Sequence, residues 1–168
     1  DIVEAVFKGL LRASKVKFED SKKVVLKTKK KDIEGSYDLV LNDKVDDVKS
    51  TSPWSYENKF VDFNTLKSKD SFGYVAQLAG YAKARGVKAG GWWAVNKANG
   101  NFKYVDADDL NMQEELKKID DTVAYIEDDA PFERCYEPIE ETYYGKASGN
   151  LKLGIECSLC SFKDACWS

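Results

Sequence analysis

Histidine is absent from this chain of 168 residues, as are long hydrophobic runs and a large excess of either charge. The lack of histidine excludes mixed cysteine–histidine ligation of a metal ion. No run of about 18 apolar residues is present to cross a bilayer, and the first residues, DIVEAVFKGLL, do not form a secretory signal. We therefore expect a soluble, cytoplasmic protein with no membrane partner. The net charge of −3 argues against a protein that coats nucleic acid.

The length and the hydrophobic content of 43% are enough for one core, so we expect a single domain over residues 1–168. Its main body would span 1–130, and a tail at 131–168 contains all four cysteines. Residues 15–31 are rich in lysine, whereas residues 106–141 are acidic. Such runs indicate either the solvated faces of a strand and a helix, or a basic rim beside an acidic metal centre.

Hydrophobic periodicity predicts the order α-β-β-β-α-β-β-α, followed by a tail with little periodicity. Asp70 or Ser71 can cap the second helix, and Gly86 is placed to end it. The sequence therefore predicts an α/β (α+β) fold with a mixed sheet flanked by helices. The predicted helices cover 2–13, about 70–85 and 111–128, and the predicted strands are KKVVLKTK, YDLVLN, KVDDVKST, GGWWAVNKA and FKYVDAD.

A two-residue turn at Asn42-Asp43 would set the register of the central hairpin. In that register Asp38 faces Asp47 across the two strands. Cross-strand neighbours have Cβ atoms about 4.5–5.5 Å apart, so facing carboxylates need either a protonated carboxyl or a cation between them. A divalent metal ion meets that need.

Strand alternation puts Lys49 on the same face as Asp47 and opposite Ser36. Two acids and one ammonium group then converge, which suits phosphodiester hydrolysis, because Mg²⁺ takes hard oxygen ligands and neutralises charge on phosphate oxygens. Lys49 would orient the attacking water or help to deprotonate it. By itself, a D-x-K pattern is more often part of an exposed hairpin, here one that carries Asp43 and Asp46 as well.

Two segments, GSYDLVL at 35–41 and VDDVKSTS at 45–52, resemble the G-x-x-D and D-x-K strands of PD-(D/E)XK nucleases. The likeness is greatest to the RecB-like and phage exonuclease branches. The resemblance implies a restriction-endonuclease-like core and a catalytic Mg²⁺ or Mn²⁺ ion. Its ligands would include Asp38, Asp47 and the main-chain carbonyl of Val48.

A helix after the D-x-K strand carries a Gln-x-x-x-Tyr element in this family, and FGYVAQLAGYAKARG supplies Gln77 and Tyr81. Residues four apart share a helix face, so both polar tips can reach one edge of the sheet. The branch further takes a metal ligand from an acid or histidine on the helix before the hairpin, which by resemblance would be Glu4. The segment between the D-x-K strand and this helix contains Trp54, Tyr56, Lys59 and Phe60. These side chains either bind the DNA strand by stacking and phosphate contact or belong to the core.

The tail contains the pattern C-x2-C-x5-C, formed by Cys157, Cys160 and Cys166, with Cys135 lying 22 positions before it. Four thiolates in a cytosolic protein suit a tetrahedral zinc ion or an iron–sulfur cluster. The pattern also resembles the cysteine cluster of iron–sulfur RecB-like nucleases, including those of CRISPR adaptation, which implies a structural 4Fe-4S cluster. In those relatives the remaining cysteine usually precedes the nuclease core, so Zn²⁺ stays as the alternative.

Together these motifs imply a metal-dependent DNA exonuclease of the phage type that hydrolyses phosphodiester bonds at DNA ends. Its expected partners are DNA, a second copy of the chain in a homo-oligomer, or phage and host recombination and replication proteins. A viral protein of this kind would act in the host cell cytoplasm. Two alternatives remain open at this point: a structure-specific endonuclease, and a non-catalytic DNA-binding module with a structural metal site.

Overall fold

A mixed sheet of five strands forms the centre of the first part of the chain. The computed structural model describes residues 2–128 and 133–167, and the chain divides into two compact units, Asp1–Asp129 and Ala130–Ser168. The elements of the first unit are α1 (Ile2–Ala13), β1 (Glu19–Leu26), β2 (Ile33–Leu41), β3 (Lys44–Thr51), α2 (Pro53–Asn58), α3 (Phe63–Ser68), α4 (Tyr74–Arg85), β4 (Lys88–Asn96), β5 (Phe102–Asp106) and α5 (Met112–Glu127).

The strands lie in the order β1-β2-β3-β4-β5. Strands β3 and β4 run parallel, and the other neighbours run antiparallel. Parallel strands need a crossover connection, which here contains α2, α3 and α4. The predicted α/β class, with a mixed sheet flanked by helices, is confirmed.

The turn between β2 and β3 sets the register predicted from the sequence. Asn42 and Asp43 both have positive φ values, 50° and 58°, as a two-residue type I′ turn requires. The ladder between the two strands is short, because its last pair is Leu39 with Asp46. Beyond that pair, β3 continues beside β4 alone.

Two pairs predicted farther along the hairpin are wrong: Asp38 does not pair with Asp47, and Lys49 does not lie opposite Ser36. The reason is that β3 diverges from β2 and follows β4 over its whole length. The backbone N–H of Val48 instead donates to Oδ2 of Asp38 at 2.7 Å. A carboxylate thus takes the place of a strand partner where the two strands separate.

A bulge interrupts the register between β3 and β4. Val45 pairs with Ala89 and Asp46 pairs with Gly91, so Gly90 is an extra residue on β4. A Cβ atom at Gly90 would lie 1.9 Å from Oδ1 of Asp46. The bulge therefore needs a glycine, because any side chain would collide with this carboxylate.

Hydrophobic side chains pack on both faces of the sheet. Consecutive residues of a strand point to opposite faces, and Trp92 and Trp93 accordingly belong to different clusters. Trp92 is fully buried in a cluster that includes Leu78 of α4. Trp93 packs against Phe7 of α1, with ring centroids 5.0 Å apart. Helices α1 and α4 therefore cover opposite faces.

Helix α4 begins and ends close to the positions predicted. Gly73 is its cap residue and has no side chain, but the Asp70 carboxylate accepts hydrogen bonds from the N–H groups of Tyr74 at 2.9 Å and Val75 at 2.8 Å. Gly86 ends the helix in the left-handed conformation, with φ of 76°. The predicted end at Gly86 is confirmed, whereas the predicted cap residue is wrong: Gly73 takes that position, and Asp70 bonds to the first turn from three residues before it.

The aromatic segment after β3, which has no clear periodicity, forms the two short helices α2 and α3. Ser52 caps the first by accepting a hydrogen bond from the N–H of Ser55 at 3.1 Å. Asp62 caps the second by accepting one from the N–H of Thr65 at 2.7 Å. Each helix has six residues, fewer than two turns, which is too short for an apolar stripe to repeat.

Lysines of the loop between β1 and β2 face acids in the second half of α5 and at its C-cap residue. Such exposed pairs contribute little stability, and they favour the interpretation of these charge runs as solvated faces. The pairs are Lys29 with Asp120 at 3.8 Å, Lys30 with Asp128 at 2.7 Å and Lys31 with Glu127 at 3.0 Å.

The second unit contains more secondary structure than its sequence predicts. Strands β6 (Ile139–Tyr143) and β7 (Lys146–Lys152) form an antiparallel hairpin, followed by the short helices α6 (Ile155–Ser158) and α7 (Lys163–Trp167). Tyr144 and Gly145 supply the positive φ values of the turn, 48° and 75°. Within residues 2–128 and 133–167, no helix combines the length and the apolar composition that crossing a bilayer needs.

Candidate active site

The buried carboxylate of Asp47 lies where β2 and β3 separate. Asp47 is 4% exposed, and its Oδ1 accepts a hydrogen bond from Nζ of Lys49 at 3.1 Å. Its Oδ2 lies 2.9 Å from the same nitrogen, but it is buried and lacks an aligned hydrogen-bond donor anywhere in the described ranges, 2–128 and 133–167. A buried carboxylate oxygen in this state costs free energy unless another ligand satisfies it.

Asp38 of β2 and Asp47 of β3, the two aspartates where the strands separate, both have raised pKa values. Burial, and then repulsion from Asp47, raises the pKa of Asp38 to about 6, against the stabilising hydrogen bond from Val48. Burial also raises the pKa of Asp47, although the charge of Lys49 opposes the change. Neighbouring carboxylates that are costly to charge together are typical of a place where a cation binds.

Gln77 and Tyr81 extend this network onto α4. Nζ of Lys49 donates to Oε1 of Gln77 at 3.0 Å, and Nε2 of Gln77 donates to the Tyr81 hydroxyl at 3.2 Å. A Cβ atom at Gly35 of β2 would lie 2.8 Å from Cε1 of Tyr81, so the absence of a side chain there lets the ring approach the strand. The structure thus brings Asp47, Lys49, Gln77 and Tyr81 into one chain of contacts.

Tyr74 is a member of the site that the sequence analysis missed. Its ring lies 4.6 Å from Nζ of Lys49 and 4.3 Å from Nζ of Lys59, measured to the ring centroid. Lys59 is only 7% exposed, and its Nζ lies 4.0 Å from Oδ1 of Asp70. The available signal was spacing, since Tyr74 precedes Gln77 by three residues and so shares its helix face.

Glu4 of α1 lies within electrostatic range of the two aspartates. Its charge raises the pKa of both Asp38 and Asp47. Its Oε1 accepts a hydrogen bond from Nζ of Lys8 at 2.5 Å, and the same nitrogen lies 2.8 Å from Oδ1 of Asp20. Helix α1 therefore brings Glu4 near the site while an ion pair with Lys8 holds its carboxylate.

The donor set of this site is compatible with a hard divalent cation. As the side chains stand in residues 2–128 and 133–167, no three histidine, cysteine, aspartate or glutamate residues form a group that could hold a metal ion. Oδ2 of Asp47, which has the ion pair with Lys49 but no aligned hydrogen-bond donor in the described residues, and the raised pKa of Asp38 nevertheless fit an ion that takes carboxylate oxygens. Val48 lies between Asp47 and Lys49 on β3, and the metal role of its carbonyl stays a prediction.

All four cysteines of the chain line a single cavity of about 190 Å³ in the second unit. Cys157 is buried, Cys166 is half-buried, and Cys135 and Cys160 are exposed; none is in a disulfide. The N–H of Phe162 points to Sγ of Cys160 at 3.4 Å, a contact that favours a thiolate. The donor chemistry fits a thiolate-bound centre, although the described thiols are not drawn together into a metal-binding group.

Comparison with known proteins gives no family for this chain. No family model and no curated protein matches the sequence. A solved structure described as "Crystal structure of SSO0001" is similar to part of it, with a TM-score of 0.44 and 14% sequence identity. The match covers 73% of this chain and 57% of that one, so this chain spans little more than half of that protein's length. Similarity at this level establishes neither a family nor a function.

Proposed function

We propose that this protein is a Mg²⁺- or Mn²⁺-dependent DNA exonuclease of the PD-(D/E)XK, RecB-like type. The observation that carries the proposal is the contact chain from Asp47 through Lys49 and Gln77 to Tyr81, beside an Asp47 oxygen with no hydrogen-bond partner in the described residues. Acid, lysine and glutamine in direct contact at a strand divergence are the groups that phosphodiester hydrolysis needs.

Each side chain has a distinct task in the proposed reaction. Asp38 and Asp47, with Glu4 and the Val48 carbonyl, would hold the divalent ion, which supplies charge neutralisation at the phosphate oxygens. The ammonium group of Lys49 is fixed by its bonds to Asp47 and Gln77, so its remaining hydrogen can orient the attacking water.

The hydrolysis itself needs no further reactant. Water attacks phosphorus, one P–O bond breaks, and the products are a phosphate end and a hydroxyl end. Gln77 contacts Lys49 and Tyr81 contacts Gln77, so their polar groups lie beside Lys49, where they would contact the phosphate group. Proposed roles of the enzyme are the processing of DNA ends in replication and recombination, or genome degradation by a phage.

The second unit would carry a structural 4Fe-4S cluster bound by Cys135, Cys157, Cys160 and Cys166, with Zn²⁺ as the alternative. The shared cavity and the N–H contact to Cys160 support a thiolate centre. After anaerobic purification we expect brown protein with broad visible absorbance. Colourless protein with one zinc ion per chain would instead establish the alternative.

Digestion of end-labelled linear and closed circular DNA tests the catalytic proposal. We expect loss of label from linear DNA with Mg²⁺ or Mn²⁺, no loss with EDTA, and no loss with the Lys49→Ala variant. The matched control is Lys44→Ala, because Lys44 lies on the same strand but pairs with Asp108 at 3.1 Å, away from the network. Cutting of circles would identify an endonuclease, and no cleavage by folded, metal-loaded protein would favour a binding module.

A further inference from the structure

Two exposed aromatic side chains lie in the part of the chain between β3 and α4. Trp54 of α2 is 65% exposed, and Phe72, in the loop before α4, is 50% exposed. Phe60 belongs to the same aromatic region of the sequence but is 2% exposed and lies in the core. The region therefore divides into rings that stabilise the fold and rings that face solvent.

Each exposed ring has a lysine beside it. Nζ of Lys69 lies 5.8 Å from the Trp54 ring centroid, and Nζ of Lys59 lies 5.5 Å from that of Phe72. Cation–π contacts of this kind orient an aromatic ring and place positive charge next to its face. Exposed rings combined with cations are the usual composition of a surface that binds nucleic-acid strands.

Tyr74 connects this surface to the catalytic residues. Its ring is stacked with that of Phe72, with centroids 6.0 Å apart and planes at 28°, and it also contacts Lys49. Starting from Lys49, the order is therefore cation, ring, cation, ring: Lys49, Tyr74, Lys59 and Phe72. The exposed Phe72 ring is thus joined through Tyr74 to Lys49, so a strand whose phosphate lies at Lys49 has an aromatic face close to it.

We propose that Phe72 stacks on a base at the DNA end whose scissile phosphate lies at Lys49. This inference rests on the proposed nuclease function and deepens it by naming the part of the substrate that the surface recognises. The faces of bases are accessible at a DNA end, whereas those inside a duplex are already stacked. Lys59 is buried and paired with Asp70, so it holds the rings in place rather than contacting DNA.

A thermodynamic cycle between a side chain and a base tests this surface. Affinity of the full chain for an end-labelled oligonucleotide is measured in Ca²⁺ for the wild type and Phe72→Ala, each with normal and with abasic terminal nucleotides. We expect Phe72→Ala to weaken binding of normal DNA by about five- to a hundredfold, because stacking of one base contributes that much. Abasic ends should weaken the wild type similarly and leave the variant without further loss.

Two further variants make the result specific. Phe72→Trp keeps an aromatic face and should retain wild-type affinity. Phe102→Ala removes a phenylalanine of nearly equal exposure, 49%, from β5, and should not change affinity. Thermal denaturation shows whether each variant is folded before its affinity is interpreted.

The outcomes separate this inference from the proposed function. Cleavage of DNA ends combined with additive effects in the cycle would overturn the stacking surface and leave the nuclease intact. Coupling in the cycle without any metal-dependent cleavage would support the surface and refute the nuclease. Equal losses for Phe72→Ala and Phe102→Ala would also refute the inference, since they would show a general effect of exposed rings.

Discussion

Replacing Asp38 by asparagine should stabilise the metal-free protein at neutral pH. The amide oxygen of Asn can still accept the hydrogen bond from Val48, while the charge that burial and Asp47 disfavour is removed. The pKa of Asp38 rises from 3.8 to about 6, and a shift of that size corresponds to about 3 kcal/mol. Solvent screening of this partly exposed group reduces the expected gain to about 1–2 kcal/mol.

The gain in stability should depend on pH with a defined sign. Below pH 3.8 the carboxyl group is protonated in the folded and unfolded chains alike, so the variant and the wild type should have equal stability. The difference should develop as pH rises from 3.8 to about 6 and be complete above that value. In EDTA at pH 8, the variant should melt about 2–8 °C above the wild type in a thermal unfolding assay.

Addition of a divalent metal ion should reverse the order of the melting temperatures of the wild type and Asp38→Asn. Addition of Mg²⁺ should raise the melting temperature of the wild type but not that of Asp38→Asn, because an ion that binds only the folded protein stabilises it. Asp43→Asn is the matched control, since Asp43 is an exposed acid of the same hairpin whose left-handed backbone suits asparagine. A lower melting temperature for Asp38→Asn than for the wild type in EDTA at pH 8 would refute the reasoning.

Substitutions at three other positions test separate parts of the structure. Gly35→Ala should displace Tyr81 and lower kcat by roughly 10- to 100-fold, as loss of a supporting contact usually does, with little change in melting temperature. Asp46→Ala should lower the free energy of unfolding by about 2–4 kcal/mol, because its two aromatic hydrogen-bond donors lose a buried acceptor; chemical denaturation measures this. Asp70→Ala should cost about 1–2 kcal/mol in the same assay, whereas Asp70→Asn, which keeps an acceptor for the first turn of α4, should cost less.

Local signals in the sequence predicted the parts of the fold that local physics determines. The turn at Asn42 and Asp43 follows from their tolerance of positive φ, and the end of α4 follows from the same property of Gly86. The helical spacing of Gln77 and Tyr81 also placed both on one face, where they are in contact. These predictions depend on neighbours within a few residues along the chain.

Features that depend on distant partners could not be predicted in this way. The divergence of β3 from β2 is caused by its pairing with β4, about forty residues later, so the predicted facing of Asp38 and Asp47 failed. The spacing of Tyr74 and Gln77 places both on one helix face, but it does not predict the contact of Tyr74 with Lys49 and Lys59, which come from other parts of the chain. Which aromatic rings are buried was likewise decided by tertiary packing.

The bulge at Gly90 gives β4 one residue more than β3 at the point where two adjacent aspartates of β3 lie. The two adjacent aspartates point to opposite faces of the sheet. Asp46 accepts hydrogen bonds from Trp93 and Tyr104, whereas Asp47 faces the helix that carries Gln77. Deleting Gly90 would leave Ala89 opposite Val45 and Gly91 opposite Asp46, so the pairing of β3 with β4 beyond the bulge, which places Asp47 and Lys49, would not change. The bulge thus makes the strand phase at the candidate site independent of a one-residue change in chain length at this point of β4.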